Sequence, residues 1–118
     1  MKKMLILVFI SLILVGCSSK KDLSCYKKDL PFQYGKMDRF ISFFADNQGY
    51  IVSSTIKENR VYNNEEDAFR FLDENSEYTE KISDLELSYT QITKYDDKVL
   101  TKDIKRAMEA QEYECNYK

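Results

Sequence analysis

Between Met4 and Leu14 the chain is apolar at every position except Ser11, while from Leu23 onward apolar and polar residues interchange in short periodic segments. A hydrophobic leader therefore precedes a body patterned for folding. Leu23 to Leu30 reads as a strand, after which Pro31 and Gly35 punctuate a turn or short loop. Met37 to Ala45, carrying Phe40, Ile41, Phe43 and Phe44, predicts a strand buried on at least one face. Asp46-Asn47-Gln48-Gly49 is a hairpin turn, because Asn and Gly tolerate positive φ. A third strand follows from Tyr50 to Tyr62. Its centre sets Val52, Ser54 and Ile56 against Ile51, Ser53 and Thr55, so alternation leaves the buried face open between the two.

The period then changes. Asn63-Asn64-Glu65-Glu66-Asp67 marks a helix start, with Asn able to cap the first N–H groups and carboxylates favoured by the helix dipole. The spacing of Ala68, Phe71, Leu72, Tyr78 and Ile82 extends this helix to about Ile82. Leu85, Leu87, Tyr89 and Ile92 predict another strand, Tyr95 to Lys98 a turn, and Val99-Leu100 a short return strand. Thr101 is the expected N-cap of a last helix whose Ile104, Ala107 and Met108 face the core. The fold class that results is α+β: a two-layer sandwich with an antiparallel sheet of four or five strands and two helices on one face, preceded by a signal-peptide helix.

The leader is too short to span a bilayer as an ordinary helix. The 11 residues from Met4 to Leu14 would rise about 16 Å as a helix, against a hydrocarbon core of about 30 Å. Met1-Lys2-Lys3 supplies the positive start of an export signal. At its end stands Leu14-Val15-Gly16-Cys17, which resembles the bacterial lipobox, where a peptidase cuts before the cysteine and the new terminus is acylated. The resulting division is a signal peptide over 1–16, a lipid-anchored tether over 17–22, and one α+β domain over 23–118. Two acyl chains on Cys17 hold a protein on a membrane far more firmly than one. The expected location is the extracytoplasmic side of the cell membrane.

Removing the leader takes Lys2 and Lys3 with it and leaves 16 Lys and Arg against 20 Asp and Glu, a net charge of −4. An acidic body argues against a nucleic-acid partner, because phosphate binding needs a basic face. It also argues against a polybasic membrane patch, which leaves the lipid as the attachment. The chain has three cysteines, so once Cys17 is acylated Cys25 and Cys115 remain as a pair in an oxidising compartment. A disulfide between them would close almost the whole domain; two free thiols are the alternative. With no histidine and no paired cysteine spacing, no metal or other cofactor is expected. Glu65, Glu66 and Asp67 lack the spaced ligands and glycine of a calcium loop and read as helix capping.

These features resemble the small YehR-like bacterial lipoproteins over nearly the full length. The matching residues are Leu14 to Cys17, a strand pair turning at Asn47-Gln48-Gly49, Asn64-Glu65-Glu66-Asp67-Ala68 opening a helix after a strand, and a closing helix. Relatives similarly place one cysteine early in the mature chain and another near the end, as Cys25 and Cys115 stand here. The chain departs from the pattern in its Pro31 to Gly35 segment and around Tyr95 to Thr101. The resemblance implies a two-layer α/β sandwich on a lipid anchor and carries no activity with it.

An enzyme is not expected, because no catalytic constellation is present and the usual general base is missing. The expected role is a binding module at the cell envelope, taking a protein or small ligand, with nine tyrosines as candidate contact residues. Alternatively Tyr26, Tyr50, Tyr62, Tyr78 and Tyr89 edge the core with their hydroxyls wet. A different role is that of a structural or inhibitory accessory protein held beside a membrane complex, where tethering raises its local concentration.

Overall fold

Side chains in a strand alternate between faces, so pairing register decides which residues are covered. The computed structural model describes residues 22–118. The leader, Cys17 and the tether up to Lys21 lie outside the described residues. Eight elements follow in order: β1 Leu23–Phe32, β2 Gly35–Ala45, β3 Ile51–Tyr62, α1 Glu65–Glu74, β4 Thr79–Lys81, β5 Glu86–Lys94, α2 Thr101–Ala110 and β6 Glu114–Tyr117. All strands belong to one antiparallel sheet in the order β4-β5-β3-β2-β1-β6. The α+β class is as expected, but the sheet has six strands rather than four or five. The strands beyond the expected set are the short edges β4, where helix was expected, and β6, whose segment Tyr113 to Lys118 was expected to lie beside the first strand if Cys25 and Cys115 are bridged but was not counted as a strand.

Register places Cys25 beside Ile41 and Ile41 beside Ile56, while Phe32 stands opposite Gly35 and Gly35 opposite Tyr62. Both helices lie on the face that these residues share. Ile104 and Met108 of α2 pack on Leu23, Cys25, Ile41, Phe43 and Cys115. At the other end of the strands Phe71 and Leu72 of α1 pack with Phe32 around Tyr62, Ala68 and Leu87. The opposite face carries Ser42, Ser53, Thr55 and Asn59, and neither helix of the described residues lies over it. Among the described residues no helix is long and apolar enough to cross a membrane.

The open question on β3 is resolved by a bulge. Phe44 pairs with Ser53 but Ala45 pairs with Ile51, so Val52 has no partner and the alternation slips by one. Ile51, Ser54 and Ile56 therefore turn to the covered face, and Val52 is exposed. The β2–β3 turn forms where expected: Gly49 has φ 87°, and Asp46 Oδ1 accepts from the N–H groups of Gln48 and Tyr50, both at 2.9 Å.

Several boundaries differ from expectation. β1 runs through Pro31, with a bulge between Lys27 and Leu30 where Asp29 takes φ 57°. Pro31 is accommodated because β6 pairs only with Leu23 to Tyr26, leaving this stretch on an open edge. The turn falls at Gln33-Tyr34, and Gly35 opens β2. A side chain at Gly35 would have no room: a Cβ there would lie 2.0 Å from the carbonyl oxygen of Val61. The helix α1 begins as expected, with Asn64 Oδ1 accepting from Asp67 N–H at 2.9 Å. It stops at Glu74 rather than Ile82, because Asn75 donates both its N–H and its Nδ2 to the carbonyl of Phe71. Tyr78 and Ile82, expected on the helix's inner face, are exposed on either side of β4.

Val99-Leu100 forms no strand, and only Leu100 bridges to Tyr50. Thr101 is not a cap but the first, buried residue of α2, with Leu100 before it offering no side-chain bond. Ala107 faces solvent, and Ile104 and Met108 carry the packing. Asp22, assigned to the tether, is held by the sheet: its Oδ1 accepts from Ala45 N–H and its carbonyl from Lys118 N–H.

Candidate functional site

Cys25 and Cys115 are direct partners in the β1–β6 ladder, and their sulfurs stand at bonding distance, 2.08 Å. The pair sits in the core under α2 and ties the first strand to the last. Cys17, the expected lipid attachment, lies outside the described residues. Among the described residues no three His, Cys, Asp or Glu side chains converge to hold a metal ion.

The tyrosines do not form one surface. The most exposed, Tyr34, Tyr78, Tyr95 and Tyr117, occupy the β1–β2 turn, the approach to β4, the loop after β5 and the edge strand β6. Nor are the core-edge hydroxyls simply wet. Tyr26 donates to Glu114, Tyr89 donates to Gln91 Oε1 at 2.6 Å, Tyr62 accepts from Arg60 Nη1 at 3.2 Å, and Tyr113 accepts from Arg39 Nη1 at 3.1 Å. The bond to Glu114 and that carboxylate's charge raise the Tyr26 pKa above its usual 10. Burial raises that of Tyr62, against the opposing bond from Arg60.

Between the two helices the covered face is charged. The carboxylate of Glu58, only 5% exposed, accepts from Arg39 Nε at 2.8 Å through one oxygen and from Arg60 Nη2 and Nε at 2.7 and 2.9 Å through the other. The Arg60 guanidinium lies 4.1 Å from the ring centre of Phe71 and also faces Phe32 and Tyr89. Lys27 Nζ donates to the Gln111 carbonyl at the C-terminus of α2, where a cation suits the helix dipole. Burial works to lower the Arg39 pKa, but its bonds to Tyr113 and Glu58 outweigh that and hold it above the ordinary value. With both carboxylate oxygens of Glu58 and all three guanidinium nitrogens of Arg60 engaged in internal bonds, this seam reads as the bridge between two apolar clusters. The alternation alone carried a signal for it: Arg39, Glu58 and Arg60 occupy covered-face positions, in register with Ile41, Ile56 and Tyr62.

Shallow clefts of about 450 and 400 Å³ lie along β4–β5 near Tyr78 and Ile92 and beside Lys36 and Asn59, and two more flank α1, which stands as a ridge between them. Toward the β1–β2 turn a cleft of about 340 Å³ is lined by Phe32, Tyr34, Arg60, Arg70 and Glu74. Toward the β4–β5 hairpin a cleft of about 370 Å³ has Ala68, Leu72 and Leu87 at its floor and Phe69, 69% exposed, on its wall. Its rim carries Glu65, Glu66 and Asp84, with Lys81 paired to Asp84 at 3.0 Å. That size, an apolar floor and a few polar groups at the mouth are what a ligand site requires. The sequence pattern does not disclose this cleft, because Glu65 and Glu66 are explained locally as first-turn helix residues and the helical spacing that reaches Ile82 runs through β4, the hairpin arm that faces them.

Comparison with protein-family models, with curated proteins and with solved structures gives no match to this chain. The candidate site accordingly rests on its own geometry.

Proposed function

We propose that this protein is a lipid-anchored domain on the extracytoplasmic side of a bacterial cell membrane that works as a binding module, presenting the α1 end of the sheet to its ligand. The lipobox-like Leu14 to Cys17 and the resemblance to YehR-like lipoproteins support the anchor. The observation that carries the reading is the polarity of the domain. Asp22 and Lys118 meet at one end, beside the β2–β3 turn, and the clefts flanking α1 lie at the other.

Asp22 follows Cys17 by only five positions, so an extended tether reaches at most roughly 17 Å. The Asp22 end is thereby kept near the bilayer. β2, running from Ala45 to Gly35, carries the α1 end roughly 34 Å further out at about 3.4 Å per residue. The disulfide-distance pair Cys25 and Cys115 fits an oxidising exterior and fixes both chain ends in the sheet.

A photo-crosslinking residue placed at Phe69 in the lipidated protein, in its own cells, tests this display. Defined adducts at position 69, with none from the same residue at Asn47 beside the anchored end, are the expected outcome. Adducts from Asn47 alone would reverse the orientation and sink the reading.

A further inference from the structure

The cleft between α1 and the β4–β5 hairpin has a charge pattern that names the chemistry of its occupant. Its mouth holds three carboxylates, Glu65, Glu66 and Asp84, against the single ammonium of Lys81, which is already committed to Asp84. Glu65 and Glu66 have no hydrogen bond or ion pair with any described side chain. The N-terminal dipole of α1 takes up part of their charge, and the rest faces the cleft and solvent. Beneath them the floor is apolar, and Phe69 presents an exposed ring with no partner ring among the described residues. An apolar chamber of about 370 Å³ with a negative mouth suits a group that is greasy along its stem and positive at its tip.

We infer that this cleft binds a lysine or arginine side chain adjacent to an apolar residue, on a basic segment of a protein partner. The inference rests on the reading of the domain as a binding module and adds the ligand's class to it. The apolar neighbour enters against Ala68, Leu72 and Leu87 while the cation lies between Glu65 and Glu66. An acidic ligand is repelled at the same mouth.

The chain contains no tryptophan, so a tryptophan in a peptide reports binding without background from the protein itself. The full lipidated protein, in nanodiscs of zwitterionic phosphatidylcholine, is titrated against acetyl-Lys-Trp-Lys-amide, acetyl-Gln-Trp-Gln-amide and acetyl-Glu-Trp-Glu-amide, with empty nanodiscs as the blank. At low salt the lysine peptide should bind about fivefold more tightly than the glutamine peptide, and the glutamate peptide more weakly still. The double variant E65Q/E66Q should erase that ranking while the protein still melts in one cooperative transition, lowered only by the lost first-turn charges. F69A should weaken all three peptides together. Equal affinities, a preference for the glutamate peptide, absence of binding, or a ranking that survives E65Q/E66Q would each overturn the inference. Position-69 crosslinks to a non-basic partner would leave the display of the α1 end standing and remove only the ligand class.

Discussion

Breaking the Cys25–Cys115 link should cost more stability than any other small change. The two residues are 90 apart in sequence, and in the chain-entropy model closing a loop of that length removes about 15 cal/mol/K from the unfolded chain, or about 4.6 kcal/mol at 25 °C. A domain of roughly 100 residues unfolds with an entropy of about 0.2 kcal/mol/K, so the loss corresponds to a fall in Tm of roughly 20 °C. The structure gives a second reason for a large effect. β6 pairs with β1 over only four residues, Leu23 to Tyr26, and without the link this edge and α2 are held only by that short ladder, a few side-chain bonds from Tyr26, Lys27 and Arg39, and packing on the sheet. The assay is thermal unfolding by circular dichroism with and without reductant, alongside the double variant Cys25→Ser/Cys115→Ser. Thiol titration of the folded protein, without reductant, should find neither residue reactive. Two titratable thiols in the native state, or a Tm shift below about 5 °C on full reduction, would refute the reasoning.

Three further outcomes follow from the packing. Gly35→Ala should destabilise by about 2 kcal/mol or more, measured by urea unfolding, because the new methyl meets the backbone carbonyl of Val61 and neither strand can yield cheaply. Glu58→Ala should cost on the order of 3 kcal/mol by leaving Arg39 and Arg60 facing each other without their shared carboxylate, and replacing all three by apolar residues of similar size should recover most of it. Stability should hold up to about pH 10 and fall above it. Tyr26 and Tyr62 have folded pKa values above their ordinary 10, so the unfolded chain ionises first and the advantage is lost as pH rises through the folded values; Tyr62→Phe should flatten that fall in melts between pH 8 and 11.5.

The long strands were legible because their period is local. Phe40 to Phe44, the turn at Asp46 to Gly49 and the cap at Asn64 each announce themselves within a few residues. The errors arose where partners distant in sequence decide. Tyr78 and Ile82 continue the helical spacing of Phe71 and Leu72, and only the pairing of Thr79 with Tyr89 and Lys81 with Leu87 makes that stretch a strand. Glu114 to Tyr117 is too short to show alternation and becomes β6 by lying beside β1. On β3 a single unpaired residue, Val52, broke the pattern from which its buried side would have been chosen.

Of the expected sites, the cysteine pair followed from counting thiols and was found across adjacent strands. The cleft beside α1 was not legible, since it exists only once Ala68 and Leu72 meet Leu87 and the Lys81–Asp84 turn. Nine tyrosines looked like a contact surface by number, yet the hydroxyls of Tyr26, Tyr89, Tyr95, Tyr62 and Tyr113 serve Glu114, Gln91, Ser54 and two arginines. Composition counts residues, whereas their use depends on register.

The most direct test of the account is the intact mass of the protein taken from its own membranes, before and after reduction. It predicts a chain that begins at Cys17, carries a diacylglyceryl group there, and gains the mass of two hydrogens when reduced. A chain that still begins at Met1, or one released without lipid into the medium, would contradict the anchor, and a mass unchanged by reduction would contradict the closed domain it holds.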